Sequence, residues 1–183
     1  MIRKLVQIAL RRFDRRYGYD SSYLLELHDA SPGAFRRFAR LSAAANYRRV
    51  APIDAYFAAK IAAVLAEDCG PCAQLCVDMA REAGMSSEQI RAVVECNHSV
   101  MSAETAAGFE FARGVLDTGL PTTTPHAEIR SRWGDGALAE LALCVTTARM
   151  FPQMKRGLDH AQACARLQLD GASLQPSPLP AGA

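Results

Sequence analysis

This sequence has few aromatic residues, no long apolar run and no sustained alternation of apolar and polar residues. Aromatic residues make up 7% of its 183 residues, with a single tryptophan, whereas half of all residues are hydrophobic. No apolar stretch approaches the roughly 20 residues of a membrane span. None alternates with a period of two for long, as a half-buried strand would. The length suits one domain with its own core, and we predict an all-α protein.

The sequence also lacks the features of a secreted protein. Its six cysteines are scattered and do not resemble the disulfide framework of a small secreted domain. The apolar run at residues 5–10 is too short for a signal peptide, and Arg11 and Arg12 end it. We therefore expect a cytoplasmic protein with reduced thiols, and we predict no cofactor.

The charges are unevenly distributed. Residues 1–50 hold 11 Lys and Arg against 4 Asp and Glu, a net charge of +7, and the remainder carries −5. Residues 2–17 are predicted to form a basic amphipathic helix in an N-terminal helical extension, residues 1–48. Such a helix can dock on its own domain or on a partner subunit, or it can bind an anionic membrane or nucleic acid. Its predicted apolar face consists of Ile2, Leu5, Val6, Ala9 and Phe13.

The segment around Cys69 and Cys72 carries the clearest chemical signal. Gly70 and Pro71 separate the two cysteines and are typical of a helix start, where the missing N–H of proline costs nothing. Cys76 follows one helical turn after Cys72. The helix dipole at this end favours thiolate over thiol and lowers the pKa of a cysteine. Such a pair can cycle between dithiol and disulfide.

Other interpretations of these cysteines stay open. Cysteines on a helix face often pack in a core as small apolar residues. A zinc site would need His98 as the fourth ligand beside Cys69, Cys72 and Cys76, and no second C-x-x-C supports it. Lys60, on the apolar face of the preceding helix, either extends its amine to water or stands near the thiols and favours thiolate.

The rest of the chain is predicted to be helical up to residue 169. Local patterns predict helices over residues 52–67, 70–83, 86–96 and 102–118, with a capping box formed by Ser86 and Gln89. A short helix should lead to a turn at residues 133–136, followed by another amphipathic helix. A last helix is expected over residues 152–169. Cys144, in the helix before it, and Cys164, in this one, lie near packed positions and should be inert. Residues 170–183 should form a disordered tail.

Residues 57–85, which read FAAKIAAVLAEDCGPCAQLCVDMAREAGM, resemble the alkylhydroperoxidase D-like, or carboxymuconolactone decarboxylase, family. The later stretches AAGFEFARGVL and WGDGALAELALCVTTARMF resemble the family's following helices in order and spacing. The resemblance covers about residues 50–165 and implies an alkylhydroperoxidase D-like helical bundle, placed here at residues 49–169. It also implies assembly into dimers, trimers or larger rings.

The resemblance further implies peroxide reduction by the two thiols, or lactone decarboxylation in members without them. In the thiol members the second cysteine, here Cys72, attacks the peroxide and the first, here Cys69, closes the disulfide. A thiol reductant then reopens it. The family's relay histidine and glutamate are replaced here by Cys76 and Phe57. Candidates to replace the relay are Glu67, Lys60 and the helix dipole.

Together these features predict a thiol–disulfide oxidoreductase or weak hydroperoxide reductase with Cys69 and Cys72 as the redox pair. Cys76, Lys60 and Glu67 are further candidates. The alternative is a non-enzymatic helical oligomer with structural cysteines. The expected partners are a second copy of the chain, a thiol reductant and a peroxide substrate, and the basic N-terminal helix is expected to contact a partner subunit or an anionic membrane.

Overall fold

The computed structural model describes residues 2–117, 123–161 and 166–177. The predicted all-α fold is confirmed, with one short β-hairpin added near the C-terminus. Among the described residues, no helix combines the length and apolar character needed to cross a bilayer. The elements are α1 (Ile2–Tyr17), α2 (Ser22–Ala30), α3 (Pro32–Ala44), α4 (Ile53–Leu65), α5 (Gly70–Glu82), α6 (Ser87–Val94), α7 (Ala103–Leu116), α8 (Thr123–Gly157), β1 (Leu167–Leu169) and β2 (Ala172–Leu174).

Helix α4 forms the centre of the molecule. Every residue from Ala55 to Val64 is buried, because α5, α6, α7 and α8 all pack against it. A helix that is apolar on all sides is typical of a core position. Lys60 is the only charged side chain in that buried stretch. A charged residue therefore lies in the most apolar helix, at the centre of the fold.

Helices α4 and α7 approach each other very closely at Gly108. A β-carbon at this position would overlap the carbonyl group of Ala55, whose carbon atom would lie only 2.6 Å away. The atom in the way belongs to the backbone, so a side-chain rotation cannot relieve the overlap. The absence of a side chain at Gly108 therefore sets the distance between these two helices.

The N-terminal extension packs on the rest of the chain through one side of its helices. Phe38 of α3 packs edge-to-face on Phe151 of α8, with ring centroids 5.5 Å apart. Arg16 pairs with Glu82 of α5, and the hydroxyl of Tyr17 donates a hydrogen bond of 2.6 Å to the same carboxylate. In the structure α1 therefore packs on its own chain, which is one of the alternatives given above.

The predicted apolar face of α1 was wrong at Leu5. This side chain is 64% exposed, as is Ile8 at 63%, while Phe13 faces the interior side and contacts Tyr17 and Tyr19. Leu5 and Ile8 lie among exposed basic residues, so the outward face of α1 is accessible to a partner. Contact with a partner subunit or an anionic membrane stays a prediction.

The C-terminal region differs most from the sequence-based prediction. Helix α8 turns sharply at Gly134 (φ 81°), as predicted, but it continues through Pro152 to Gly157. The separate helix predicted over residues 152–169 is wrong, because residues 152–157 belong to α8 and residues 167–169 form β1, which pairs antiparallel with β2. Residues 170–174, assigned above to a disordered tail, form the turn and second strand, and residues 178–183 lie outside the described part.

The hairpin is held on α5 by the side chain of Gln74. The amide of Gln74 donates to the carbonyl of Gln168 (3.0 Å) and accepts from its N–H (2.7 Å). Asp170 and Gly171 both have positive φ, 50° and 78°, as a type I′ turn requires. The Asp-Gly pair in the sequence is therefore the signal that could have revealed the hairpin.

We expect Gly108→Ala to destabilise the protein, because the new methyl group must push α7 away from α4. The free energy of unfolding should fall by at least about 1–3 kcal/mol, the usual effect of overpacking a core. Chemical denaturation followed by circular dichroism measures it. The matched control is Gly136→Ala in α8, where the β-carbon would make an ordinary contact of 3.6 Å with Val50. That variant should be as stable as the parent or more so, and equal stabilities for both variants would contradict the close approach.

Candidate functional site

Cys69 and Cys72 lie at disulfide distance at the start of α5. Cys69 is the residue that precedes the helix and has extended backbone angles, and Pro71 occupies the first turn. This local geometry places the two Cα atoms 5.3 Å apart, which is within the usual range for a disulfide. Both side chains are 4% exposed. The predicted pairing of these two cysteines at a helix start therefore agrees with their geometry.

A tyrosine of the N-terminal extension reaches Cys72. The hydroxyl of Tyr19 lies 3.7 Å from the sulfur of Cys72, and the tyrosine side chain is buried. Burial raises the pKa of Tyr19 well above its ordinary value, because the charged phenolate would lose its hydration. The hydroxyl therefore keeps its proton at neutral pH. Its hydrogen-bonding neighbours are the sulfur of Cys72 and the hydroxyl of Tyr23.

A buried lysine packs against the ring of this tyrosine. The amine nitrogen of Lys155, on α8, lies 4.3 Å from the centroid of the Tyr19 ring and 5.2 Å from that of Tyr23. Burial lowers the pKa of Lys155, and the two rings compensate part of its lost hydration through cation–π contacts. No local sequence pattern indicates this cluster, because Lys155 is far from Tyr19 and Tyr23 in the chain and only the packing of α8 brings it to their rings.

A cavity of about 280 Å³ lies next to Cys72. The start of α5 forms one side of it through Cys72 and Cys76, and the N-terminal extension forms the opposite side. Cys69 is not among its lining residues. Most of the wall is apolar, with contributions from Leu10, Phe13, Leu24, Val64, Leu75 and Phe151. The extension, which lies outside the resemblance described above, thus completes the candidate site.

Cys76 and Cys144 are free thiols that are poorly suited to nucleophilic attack. Burial raises the pKa of Cys76 to about 11 and that of Cys144 to about 12, although the nearby Lys60 opposes both shifts. The Cys144 thiol also donates a 3.6 Å hydrogen bond to the carbonyl of Tyr56. Cys76 lines the cavity as a neutral thiol and does not replace the imidazole of the family relay.

Lys60 lies at the cavity wall and is 5% exposed. Its amine donates hydrogen bonds to the carbonyl of Ala45 (2.8 Å) and to the side chain of Asn46 (3.0 Å). The interpretation in which the amine reaches water is therefore wrong. The interpretation with the amine near the thiols fits better, since its charge acts on Cys76 and Cys144.

Glu67 is engaged in ion pairs with α8. Its buried carboxylate pairs with Arg149 and accepts a 3.1 Å hydrogen bond from Gln153. Arg156 lies 3.4 Å from the same carboxylate and donates to the carbonyl of Glu67. These contacts tie the end of α4 to α8. Glu67 is absent from the cavity wall, and its role as a substitute for the relay glutamate stays a prediction.

The zinc hypothesis finds no matching arrangement in the described part of the chain. Three or more histidine, cysteine or acidic side chains do not come together there as metal ligands would. His98 instead lies 3.2 Å from the carboxylate of Glu110 and packs edge-to-face on Phe109. Cys164 lies outside the described residues.

Comparison with known proteins gave one distant match. The chain is 29% identical over 154 residues to the Ribonuclease Y of Aquifex aeolicus (strain VF5). The matched region is 81% of this chain and 26% of that protein, so the chain spans about a quarter of the relative's length. No family model and no solved structure matches the chain.

Proposed function

We propose that this protein is a thiol–disulfide oxidoreductase in which Cys69 and Cys72 alternate between dithiol and disulfide. The main support is the disulfide distance between these two sulfurs at the start of α5, with Cys72 lining an apolar cavity. The positive end of the helix dipole stabilises a thiolate there. The proposal agrees with the sequence resemblance to the alkylhydroperoxidase D-like family.

An organic hydroperoxide is the oxidant that suits this site. The Cys72 thiolate attacks one peroxide oxygen, which breaks the O–O bond and leaves a sulfenic acid on Cys72 and an alkoxide that takes up a proton. Cys69 then attacks the sulfur of Cys72, which forms the disulfide and releases water. A dithiol reductant supplies two electrons and two protons to restore the pair. The cavity is large enough to admit the organic group beside Cys72.

Tyr19 takes over part of the task of the missing relay in this proposal. It does not act as a base, because burial raises its pKa and the hydroxyl therefore stays protonated at neutral pH. Its hydroxyl instead donates to the Cys72 thiolate across the 3.7 Å contact and favours the charged form. A positioned general base contributes roughly 10²–10⁴ to a rate, so we expect slow turnover compared with an enzyme that has one.

The burial of the two sulfurs favours a second candidate, a helical assembly protein with a structural disulfide. Each of these cysteines is only 4% exposed, and buried thiols are often inert. The two candidates differ in whether the pair can be reduced and reoxidised in the native protein. We do not propose ribonuclease activity, because the matched segment is 26% of the ribonuclease.

We predict that Cys72→Ser abolishes turnover of cumene hydroperoxide with a dithiol reductant, because the attacking sulfur is lost. Cys69→Ser should react once and then keep a sulfenic acid on Cys72, which dimedone traps and mass spectrometry detects. Cys76→Ser is the matched control, since it removes a buried thiol of the same helix. It should retain turnover, and full activity of Cys72→Ser would refute the proposal.

Tyr19→Phe should raise the pKa of Cys72 in the reduced protein. A hydrogen bond to a charged group is worth about 1.5–3 kcal/mol, which corresponds to a shift of about 1–2 pKa units. The pH dependence of Cys72 alkylation by iodoacetamide measures this shift. Tyr17→Phe is the control, because it loosens α1 from Glu82 without touching Cys72. An unchanged pH profile for Tyr19→Phe would remove the tyrosine from the mechanism.

The buried thiols should respond to pH differently from the redox pair. Because burial raises the pKa of Cys76 to about 11, this thiol stays protonated at pH 8 and should become reactive only as the pH approaches 11. In reduced native protein at pH 8, iodoacetamide should therefore modify Cys72 and leave Cys76 and Cys144 unmodified. Peptide mass spectrometry gives the extent at each site, with urea-denatured protein as the fully reactive reference. Resistance of Cys72 equal to that of Cys76 would favour the structural disulfide.

A further inference from the structure

The cavity contains a buried cation without an acidic partner. Lys60 is 5% exposed, and its amine contacts two neutral oxygens, the carbonyl of Ala45 and the side-chain oxygen of Asn46. Within the described ranges, no carboxylate lies within 4.0 Å of the Lys60 amine. The amine also lies 5.4 Å from the centroid of the Tyr56 ring and 5.8 Å from that of Phe57. All of these partners are neutral, so the buried charge has no counter-ion among them, and the amine can bind an incoming anion.

The thiols beside Lys60 do not serve as its counter-charge. Cys76 and Cys144 are both buried and remain protonated at neutral pH. A lysine ammonium has three N–H donors, and two of them are used by Ala45 and Asn46. The third donor is available to a ligand, since Lys60 is one of the residues that line the cavity.

The size and wall of the cavity define the rest of such a ligand. A volume of about 280 Å³ holds roughly nine non-hydrogen atoms, if each occupies about the 30 Å³ of a liquid water molecule. Polar lining groups are few, and two of them, Asn46 and Ala45, already bind the Lys60 amine. The remaining wall is mainly aliphatic and aromatic. One end of the ligand must therefore be anionic, and the other end must be apolar.

We propose that this cavity binds an apolar monocarboxylate of about eight carbons, the carboxyl carbon included, whose carboxylate accepts a hydrogen bond from Lys60. A single carboxylate matches the single cation of the cavity. A charge-assisted hydrogen bond in a site of low polarity is stronger than a neutral one, and the chain gains free energy by leaving water. The site does not depend on the proposed redox function, although it would hold the chain beside Cys72.

Isothermal titration calorimetry of the full chain carrying Cys69→Ser and Cys72→Ser tests the proposal, because this variant excludes any change of redox state. Octanoate should bind with a stoichiometry of one. Octan-1-ol should bind at least tenfold more weakly, because it has no charge. It therefore cannot form a charge-assisted hydrogen bond with Lys60, which is worth about 1.5–3 kcal/mol. Butanoate should also bind more weakly, because it leaves most of the apolar wall uncovered. Absence of octanoate binding, or equal affinity for octanoate and octan-1-ol, would overturn the proposal.

Two variants in the same background locate the site. Lys60→Met should remove the preference for octanoate over octan-1-ol, whereas Lys4→Met, which removes an exposed charge on α1, should preserve it. If Lys60→Met does not fold, the series of ligands on the parent still decides the question. Leu10→Trp, which fills the cavity from α1, should weaken octanoate and octan-1-ol alike, and unchanged binding would exclude this cavity. Loss of binding together with normal hydroperoxide turnover in the wild-type protein would reject this inference alone.

Discussion

The contact between Tyr19 and Cys72 joins two parts of the chain on which the site depends. Tyr19 belongs to the N-terminal extension, whereas Cys72 is set by the start of α5, and their side chains meet at 3.7 Å. Without the extension, the cavity beside Cys72 would have no opposite wall and would open to water. The desolvation that raises the pKa of Tyr19 and of Cys76 therefore depends on the extension being in place. The same packing fixes the shape of the cavity and the electrostatics of its polar groups.

Two buried lysines give this site its electrostatic character. Lys60 and Lys155 are both at most 5% exposed. Lys60 contacts carbonyl and amide oxygens and two aromatic rings, whereas Lys155 lies over two aromatic rings and also interacts electrostatically with Asp14 and Asp20. A positive potential in a region of low polarity strengthens every interaction with a negative charge. Such an environment favours a thiolate on Cys72 and an anionic group in the cavity for the same reason. The redox proposal and the carboxylate proposal thus draw on one feature of the fold, although separate measurements test them.

Local features of the sequence were sufficient to predict most of the helices but little of the site around the cysteines. Pro71 and the serine at position 102 mark helix starts by short-range chemistry, and the structure agrees at both. Gln89 shows the limit of such reasoning. Ser86 accepts from the Gln89 N–H, as predicted. The Gln89 side chain, however, bonds to Val100 and Ser102 instead of completing the capping box. Its partners were decided by tertiary packing, which no local pattern contains.

The same argument explains the other errors. The position of Pro152 predicts a helix start, yet α8 continues through this residue. The role of Glu67 depended on Arg149, which lies 82 positions away in the chain. The contact of Tyr19 with Cys72 is also non-local, because the two residues are 53 positions apart in the chain.

Under the proposed redox function, the geometry also determines which sulfur a small thiol reductant reaches. Cys72 lines the cavity, whereas Cys69 does not. An incoming thiolate would therefore attack the sulfur of Cys72 and form a mixed disulfide, and Cys69 would leave with the electron pair. Cys69 precedes the first turn of α5, so the helix dipole stabilises the departing thiolate. A good leaving group accelerates thiol–disulfide exchange. The cysteine that is closed off from the cavity is thus well placed to serve as the leaving group.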